Sequence, residues 1–305
     1  MSTRHFPEFN SKILLFGEYS LMKGSMALSI PYSKYTGQMS FDRLAENTRS
    51  HHYSVKYLAE YYHFLEKEDF GDFLKLNEFK YDIEHGLLLE TNIPISYGLG
   101  SSGAIVASIY NAYARNPLTG PEELKLVFSK MESFYHGKSS GLDPLVSYLN
   151  KPVLINQSGR LETVEIPANT KKGKAFVFLV DTKSVGETQP LVNWFLNEYK
   201  KINFKNRIQN QFVPSTNSGI SNFLDGNYKE LLPNVKTLSE FTYRNLEPMI
   251  PETVKGIWKK GLETNMYYLK LCGSGGGGML LGFTDNLEKV KQSIQGLDIE
   301  VIHKF

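Results

Sequence analysis

Short apolar runs and longer segments with helical spacing alternate along the chain, which predicts a mixed α+β fold. Buried strands are predicted at residues 11–16, 26–32, 174–180, 269–272, 279–283 and 298–303. Helices are predicted at residues 48–74, 104–115, 121–135, 190–201, 211–224, 227–241 and 286–295. Residues 81–91, which have His85 and Gly86 near their centre, predict a pair of strands.

The length and composition of the chain indicate two domains. It has 305 residues, 41% of them hydrophobic and 22% charged, which is enough apolar sequence for a substantial core. A single core rarely grows beyond about 250 to 300 residues, so two domains with a cleft are expected. We place the boundary in the turn at Lys171, Lys172 and Gly173, which gives an N-terminal domain of residues 1–172 and a C-terminal domain of residues 173–305.

Charge and cysteine content exclude several classes of partner and site. The chain has 34 Lys+Arg and 32 Asp+Glu, so it lacks the basic excess that nucleic-acid binding requires. Its only cysteine, Cys272, cannot form an internal disulfide, and no Cys/His spacing typical of zinc sites occurs. Residues 1–12 are polar and every apolar run is too short to cross a bilayer. We therefore expect a cytoplasmic protein with no nucleic-acid or membrane partner.

Two glycine-rich loops, at residues 98–103 (GLGSSG) and 273–278 (GSGGGG), each satisfy the G-x-G-x-x-G pattern. A dinucleotide site needs a buried strand before the loop and a helix after it. Pro94 and Ser96 interrupt the sequence before the first loop, and an apolar strand follows the second, so neither fits that fold. A P-loop ending at residues 137–139 is also excluded, because Glu132 stands where its first glycine is required.

The first loop instead predicts an anion site at the start of a buried helix. Unpaired backbone N–H groups and the helix dipole attract phosphate there, and the hydroxyls of Ser101 and Ser102 can contact phosphate or Mg²⁺. The alternative is a tight turn with a serine N-cap. For the second loop, the alternatives are a flexible linker and a backbone packed closely against the nucleotide or the first loop.

Three segments together resemble the motifs of the GHMP small-molecule kinases. These are residues 11–19 (SKILLFGEY), 94–103 (PISYGLGSSG) and 270–278 (KLCGSGGGG), which occur in the family's order and span the chain. Within that superfamily, residues 132–143 (ESFYHGKSSGLD) resemble the E-x-x-x-H-G-x-P-S-G-x-D segment of mevalonate kinases. Residues 181–183 with Thr188 resemble the strand and loop that begin the second domain there.

The resemblance implies a two-domain α+β GHMP kinase fold. Its N-terminal domain would be ribosomal protein S5 domain 2-like and its C-terminal domain ferredoxin-like, with ATP and the acceptor between them. Three residues depart from the family pattern. Ser11 stands where glycine is usual, Tyr19 where mevalonate kinases commonly have histidine, and Ser139 where they have proline. These departures bear on the acceptor more than on the chemistry.

The resemblance also implies roles for the chemical groups of phosphoryl transfer. Asp143 would accept the hydroxyl proton of the acceptor, and Lys12 would stabilise developing charge. The alternatives are a turn at Asp143 and Pro144, and an exposed lysine at a strand start. Ser102 and Glu132 would hold Mg²⁺, although a carboxylate on a helix is usually only solvated.

Binding residues follow from the same motifs. Those implied for the ATP phosphates are Gly98, Leu99, Gly100, Ser101, Ser102, Gly103, Gly273, Ser274 and Gly275. Those implied for the acceptor are Glu18, His136 and Thr188, with a buried hydrogen bond as the alternative role of His136.

The function that the resemblance implies is an ATP- and Mg²⁺-dependent alcohol kinase. Its expected reaction converts mevalonate to 5-phosphomevalonate in isoprenoid biosynthesis, with the small alcohol and ATP as binding partners. Phosphomevalonate or another small alcohol is an alternative acceptor. A catalytically silent ligand-binding relative is the alternative from another class. The chain is expected to be a monomer or homodimer.

Overall fold

A computed structural model of the chain describes residues 5–41, 49–171 and 173–305. Its helices are α1 Arg49–Lys67, α2 Leu76–Glu84, α3 Ser101–Tyr113, α4 Pro121–His136, α5 Leu142–Leu149, α6 Thr188–Glu198, α7 Ile202–Arg207, α8 Val213–Leu224, α9 Tyr228–Asn245, α10 Glu252–Thr264 and α11 Leu287–Ser293. Its strands are β1 Phe9–Phe16, β2 Ala27–Ser40, β3 Leu88–Thr91, β4 Val153–Ile155, β5 Leu161–Thr163, β6 Phe176–Asp181, β7 Tyr268–Leu271, β8 Met279–Thr284 and β9 Ile299–Lys304. The strands form one sheet of order β1-β2-β4-β5, with β3 also paired to β2, and another of order β7-β8-β6-β9.

The chain divides into two compact units that interleave in sequence. The first unit contains Met1–Lys12, Pro31–Pro94 and Gly100–Lys151, and the second contains Ile13–Ile30, Ile95–Leu99 and Pro152–Phe305. The predicted domain boundary between residues 172 and 173 stays a prediction, and Lys172 itself lies outside the described residues.

In the first unit, α3 is the central helix, and it positions part of the candidate site. It is buried from Ser102 to Tyr110 because glycine, alanine and serine alternate there with apolar residues. A Cβ added at Gly103 would lie 2.8 Å from the carbonyl carbon of Asp143, so the backbones of α3 and α5 approach closely. In the same unit β3 pairs antiparallel with β2, with Gly37 opposite Thr91.

In the second unit, β7, β8, β6 and β9 form an antiparallel sheet around an apolar centre. Strand β6 is buried from Val177 to Val180, and all six residues of β8 are buried. These strands are apolar on both faces, which is why the sequence shows continuous apolar runs rather than alternation there.

Most elements predicted from the apolar pattern are present, including the strands at residues 11–16 and 174–180 and the helix at residues 104–115. Of the helix predicted at residues 48–74, α1 forms the main part, and Thr48 lies outside the described residues.

The prediction of paired strands at residues 81–91 is wrong in its first half. Helix α2 extends to Glu84, and only Leu88–Thr91 form a strand. Phe79 and Ile83 lie four residues apart on one buried helical face, and that spacing was the missed signal.

None of the helices in the described ranges is long and apolar enough to span a membrane.

Candidate active site

Lys12 and Asp143 form an ion pair within the first unit. Lys12 Nζ lies 3.0 Å from Asp143 Oδ2, and Lys12 is only 4% exposed on strand β1. Asp143 occupies the first turn of α5, where the helix dipole favours a carboxylate. The alternatives of an exposed lysine and of a turn at Asp143 and Pro144 are both wrong, since Pro144 also lies inside α5.

The start of α5 depends on Gly141. This residue has φ +71°, and a Cβ there would lie 2.2 Å from the carbonyl oxygen of Lys125. Only glycine combines that backbone conformation with such a close approach to α4. Gly141 therefore places Asp143 at a fixed point beside α4.

Ser102 and Glu132 form a second buried contact in the first unit. The Ser102 hydroxyl donates a 2.8 Å hydrogen bond to Glu132 Oε1, and Glu132 on α4 is 3% exposed. The N-cap of α3 is Gly100, and no side chain caps the helix, so the serine N-cap alternative is wrong. Glu132 is likewise not a solvated helix carboxylate.

The environment of Glu132 disfavours its charged form. Burial raises the pKa of Glu132 to about 7, and the negative charge of Asp143 acts in the same direction. Hydrogen bonds from Ser139 and Ser102 and the charge of Lys12 oppose that rise. A cation close to Glu132 would therefore stabilise the charged form of its carboxylate.

The donor set fits Mg²⁺. A hydroxyl and a carboxylate supply hard oxygen atoms, and Mg²⁺ is usually held by one or two such groups together with substrate phosphates and water. Ser102 donates its proton to Glu132, and a hydroxyl oxygen that donates its proton can still act as a ligand to a cation. Ser102 and Glu132 are therefore the residues that would hold the metal.

The N-terminus of α3 can bind an anion. The N–H groups of Ser101, Ser102 and Gly103 have no acceptor within the helix, and the dipole adds positive potential. The Lys12 side chain packs against Gly100, where an added Cβ would lie 2.8 Å from Lys12 Cγ. A buried cation and the first-turn N–H groups of α3 thus lie side by side in the first unit.

In the second unit, the glycine run at residues 273–278 is packed tightly against backbone. A Cβ added at Gly98 would lie 2.4 Å from the carbonyl oxygen of Cys272, and one at Gly278 would lie 2.6 Å from Tyr97 Cα. The Gly278 N–H also donates a 2.7 Å hydrogen bond to the carbonyl oxygen of Ser184. The flexible-linker alternative is therefore wrong, and the run packs against Tyr97 and Gly98, at the start of the first loop.

Tyr19 and Thr188 both contact this glycine run. The Tyr19 hydroxyl donates a 2.6 Å hydrogen bond to the carbonyl oxygen of Ser274, and the hydroxyls of Ser274 and Thr188 lie 2.9 Å apart. Tyr19 is 6% exposed and has φ +59°, an uncommon conformation for a bulky residue. The turn after β1 therefore contains Tyr19, whose hydrogen bond holds the backbone of Ser274 in place.

Glu18 forms a buried ion pair with Lys270. Their charged atoms lie 2.7 Å apart, and the two residues are 6% and 1% exposed. Burial raises the pKa of Glu18 more than the attraction of Lys270 lowers it. An acceptor-binding role for Glu18 stays a prediction, as does that of His136, whose side chain lies outside the described part of the chain.

Sequence reasoning missed three residues of these clusters. Ser139, at which the chain departs from the family pattern, donates a hydrogen bond to Glu132 Oε2. Tyr19 is another departure from that pattern, and Lys270 lies in the third motif, which implies no role for it. The buried lysine at the centre of the apolar segment 269–272 was a usable signal for a partner carboxylate.

The chain is similar to known kinases. A family model, "GHMP kinases N terminal domain", matches residues 56–151. Mevalonate kinase of Thermococcus sibiricus is 26% identical over 220 residues, which are 63% of this chain and 61% of that protein. The matched region therefore spans less than two thirds of the relative's length.

Two solved structures share the fold over nearly the whole chain. Methanococcus jannaschii mevalonate kinase has a TM-score of 0.64 at 18% identity and covers 100% of this chain and 99% of its own. Streptococcus pneumoniae phosphomevalonate kinase has a TM-score of 0.64 at 14% identity, covering 98% and 100%. The fold is thus the α+β fold of the GHMP kinases, as the motifs implied.

Proposed function

We propose that the chain is an ATP- and Mg²⁺-dependent alcohol kinase that converts mevalonate to 5-phosphomevalonate in isoprenoid biosynthesis. The observation that carries the proposal is the 3.0 Å ion pair between Lys12 and Asp143 beside the N-terminus of α3. A carboxylate, a buried cation and the first-turn N–H groups of a helix therefore lie in one region of the first unit, and phosphoryl transfer to an alcohol needs such groups.

Each group has a defined part in the reaction. The acceptor hydroxyl oxygen bonds to the γ-phosphorus of ATP, the bond from that phosphorus to the β,γ-bridging oxygen breaks, and ADP leaves. Asp143 takes the proton of the hydroxyl. Lys12 stabilises the negative charge that develops during transfer, in a site where its own burial strengthens the interaction.

The glycine-rich loops would position the phosphates of ATP. The first-turn N–H groups of α3 would bind phosphate oxygens of ATP. When bound at Ser102 and Glu132, Mg²⁺ would neutralise charge on the β- and γ-phosphates. Nucleotide contact by Gly273, Ser274 and Gly275, which lie in the second unit, stays a prediction.

Mevalonate is the proposed acceptor because residues 132–143 resemble the mevalonate kinase segment and the matched relative is a mevalonate kinase. Phosphomevalonate is the second candidate, since a phosphomevalonate kinase has the same fold at a similar TM-score. The two acceptors differ in the charge that the site must accommodate, so turnover distinguishes them.

The experiment is ADP release by the purified chain with mevalonate, phosphomevalonate, galactose and homoserine. Specificity among these alcohols depends on polar groups left unpaired by the wrong acceptor, so kcat/KM for mevalonate should exceed the others by about 10²-fold or more. If phosphomevalonate is preferred by that margin, the acceptor assignment is wrong. If no acceptor raises ADP release above that of Asp143→Asn, the kinase proposal fails and the silent relative is favoured.

A further inference from the structure

The hydroxyl of Ser139 connects two parts of the candidate site. It donates a hydrogen bond to Glu132 Oε2 and accepts one from the Gly141 N–H at 3.0 Å. A serine hydroxyl has one proton to donate and two lone pairs, so both contacts can exist together. Gly141 is the residue that opens α5, and Asp143 lies two positions further on.

These contacts fix the direction of the Glu132 carboxylate. Ser102 donates to one of its oxygens and Ser139 to the other, so rotation of the carboxylate would break a charge-assisted hydrogen bond. Each carboxylate oxygen still has a lone pair free, because it can accept two hydrogen bonds or ligands. The two serines therefore orient the carboxylate without occupying it fully.

We propose that Ser139 is a positioning residue: its hydroxyl orients Glu132 toward the metal that accompanies ATP and links that carboxylate to the start of α5, where Asp143 lies. The inference rests on the proposed function. It concerns a residue at which this chain departs from the mevalonate kinase pattern, because a proline at that position has no hydroxyl and cannot make either contact.

A purely structural role for Ser139 is the competing explanation. The carbonyl oxygen of Ser139 accepts a 2.6 Å hydrogen bond from the Ser129 hydroxyl, which also holds this segment against α4. Ser129→Ala removes that bond and leaves the contact with Glu132 in place. It is therefore a matched control for loss of segment stability alone.

The experiment measures Mg²⁺ dependence in two ways. The first is the Mg²⁺ concentration that gives half of the thermal shift at saturating non-hydrolysable ATP analogue, and the second is the concentration that gives half-maximal ADP release with mevalonate. Loss of a group that orients a metal ligand typically weakens metal binding about 10- to 100-fold. We expect Ser139→Ala to raise both concentrations about 10-fold, and Ser139→Thr, which keeps the hydroxyl, and Ser129→Ala to change them less than about twofold.

The outcomes separate this inference from the proposed function. Equal effects of Ser139→Ala and Ser129→Ala, or no effect of Ser139→Ala, would overturn the positioning role. If Ser139→Ala is unstable, Ser139→Cys, which keeps nearly the same shape with a weak donor, gives the same test. If Ser139→Ala but not Ser129→Ala changes the Mg²⁺ dependence of the thermal shift, and no acceptor raises ADP release, the positioning role of Ser139 is supported and the kinase proposal is rejected. The absence of any Mg²⁺-dependent shift in the unsubstituted chain would overturn both.

Discussion

Lys12 and Asp143 are paired across 3.0 Å, but the two side chains differ in accessibility. The Lys12 side chain is 5% exposed, whereas the Asp143 side chain is 32% exposed. A buried ammonium therefore supports a carboxylate that a small solute can still reach. This asymmetry suits a base that must contact the acceptor while its partner supplies a fixed charge.

Asp143→Asn should lower kcat about 10²- to 10⁴-fold and leave ATP affinity within a few-fold, because it removes the proton acceptor and preserves the side-chain volume. Steady-state ADP release and nucleotide titration measure the two quantities. Asp225→Asn, at the exposed end of α8, is the control and should behave like the unsubstituted chain. Near-normal turnover in a folded Asp143→Asn variant would reject the base assignment.

The resemblance to the GHMP kinase motifs predicted most of the residues of this candidate site, and two of them lie in one local segment. Residues 132–143 carry Glu132 and Asp143 in one segment, and a glycine-rich loop before a small-residue helix predicted the α3 N-terminus. The contacts of Ser139 and the pair of Glu18 with Lys270 were not predicted. They depend on side-chain directions and on approach between distant segments, which apolar periodicity does not specify. The missed helix α2 had a different cause, since Gly86 was interpreted as a hairpin turn although it follows the end of a helix.

Glu132 should make stability depend on pH when no divalent cation is present. Its pKa is raised from 4.5 to about 7, so the folded state holds the proton more tightly than the unfolded state. The associated stability is fully present below about pH 4.5 and is lost as pH rises through about 7. Glu132→Gln removes this effect, so the unsubstituted chain should lose roughly 2 to 3 kcal/mol relative to the variant between pH 5 and pH 8.

Urea unfolding at pH 5, 6, 7 and 8 in the presence of EDTA measures that difference. Glu165→Gln, which changes an exposed carboxylate, is the control and should follow the unsubstituted chain at every pH. Parallel pH profiles for Glu132→Gln and the unsubstituted chain would show that Glu132 titrates normally.

Glu18 and Lys270 form a buried pair, so the effect of replacing one on the free energy of unfolding should depend on whether the other is present. Removing one member leaves an uncompensated buried charge, so Lys270→Met should cost about 3 to 5 kcal/mol in the free energy of unfolding. Glu18→Gln should also destabilise the fold, because Lys270 then loses its counterion. The double variant should be more stable than the sum of the single effects predicts.

Urea unfolding of the two single variants and the double variant provides the measurement. Lys259→Met, which breaks an exposed pair with Glu263, is the control and should have a small effect. A Glu18→Gln variant of unchanged stability with a higher KM for the acceptor would favour the acceptor-binding role for Glu18 over a structural one.

Tyr19 holds the glycine run in place through its hydroxyl. Burial, aided by the charge of Glu18, raises the pKa of Tyr19, so the hydroxyl remains protonated and donates to Ser274 at neutral pH. Its ring also packs on Phe195, with ring centroids 4.8 Å apart, and Tyr19→Phe would preserve that contact. Only the hydrogen bond to the loop would be lost.

A single hydrogen bond of this kind is worth about 1 kcal/mol, so Tyr19→Phe should raise KM for ATP about fivefold. The value of kcat should change less than about twofold, because Asp143 and Lys12 are unaltered. Tyr199→Phe is the matched control: Tyr199 also stacks on Phe195, but its hydroxyl accepts a hydrogen bond from Gln209 rather than contacting the glycine run. Equal changes in KM for ATP in both variants would mean that the aromatic cluster as a whole, and not the Tyr19 hydroxyl, positions the loop.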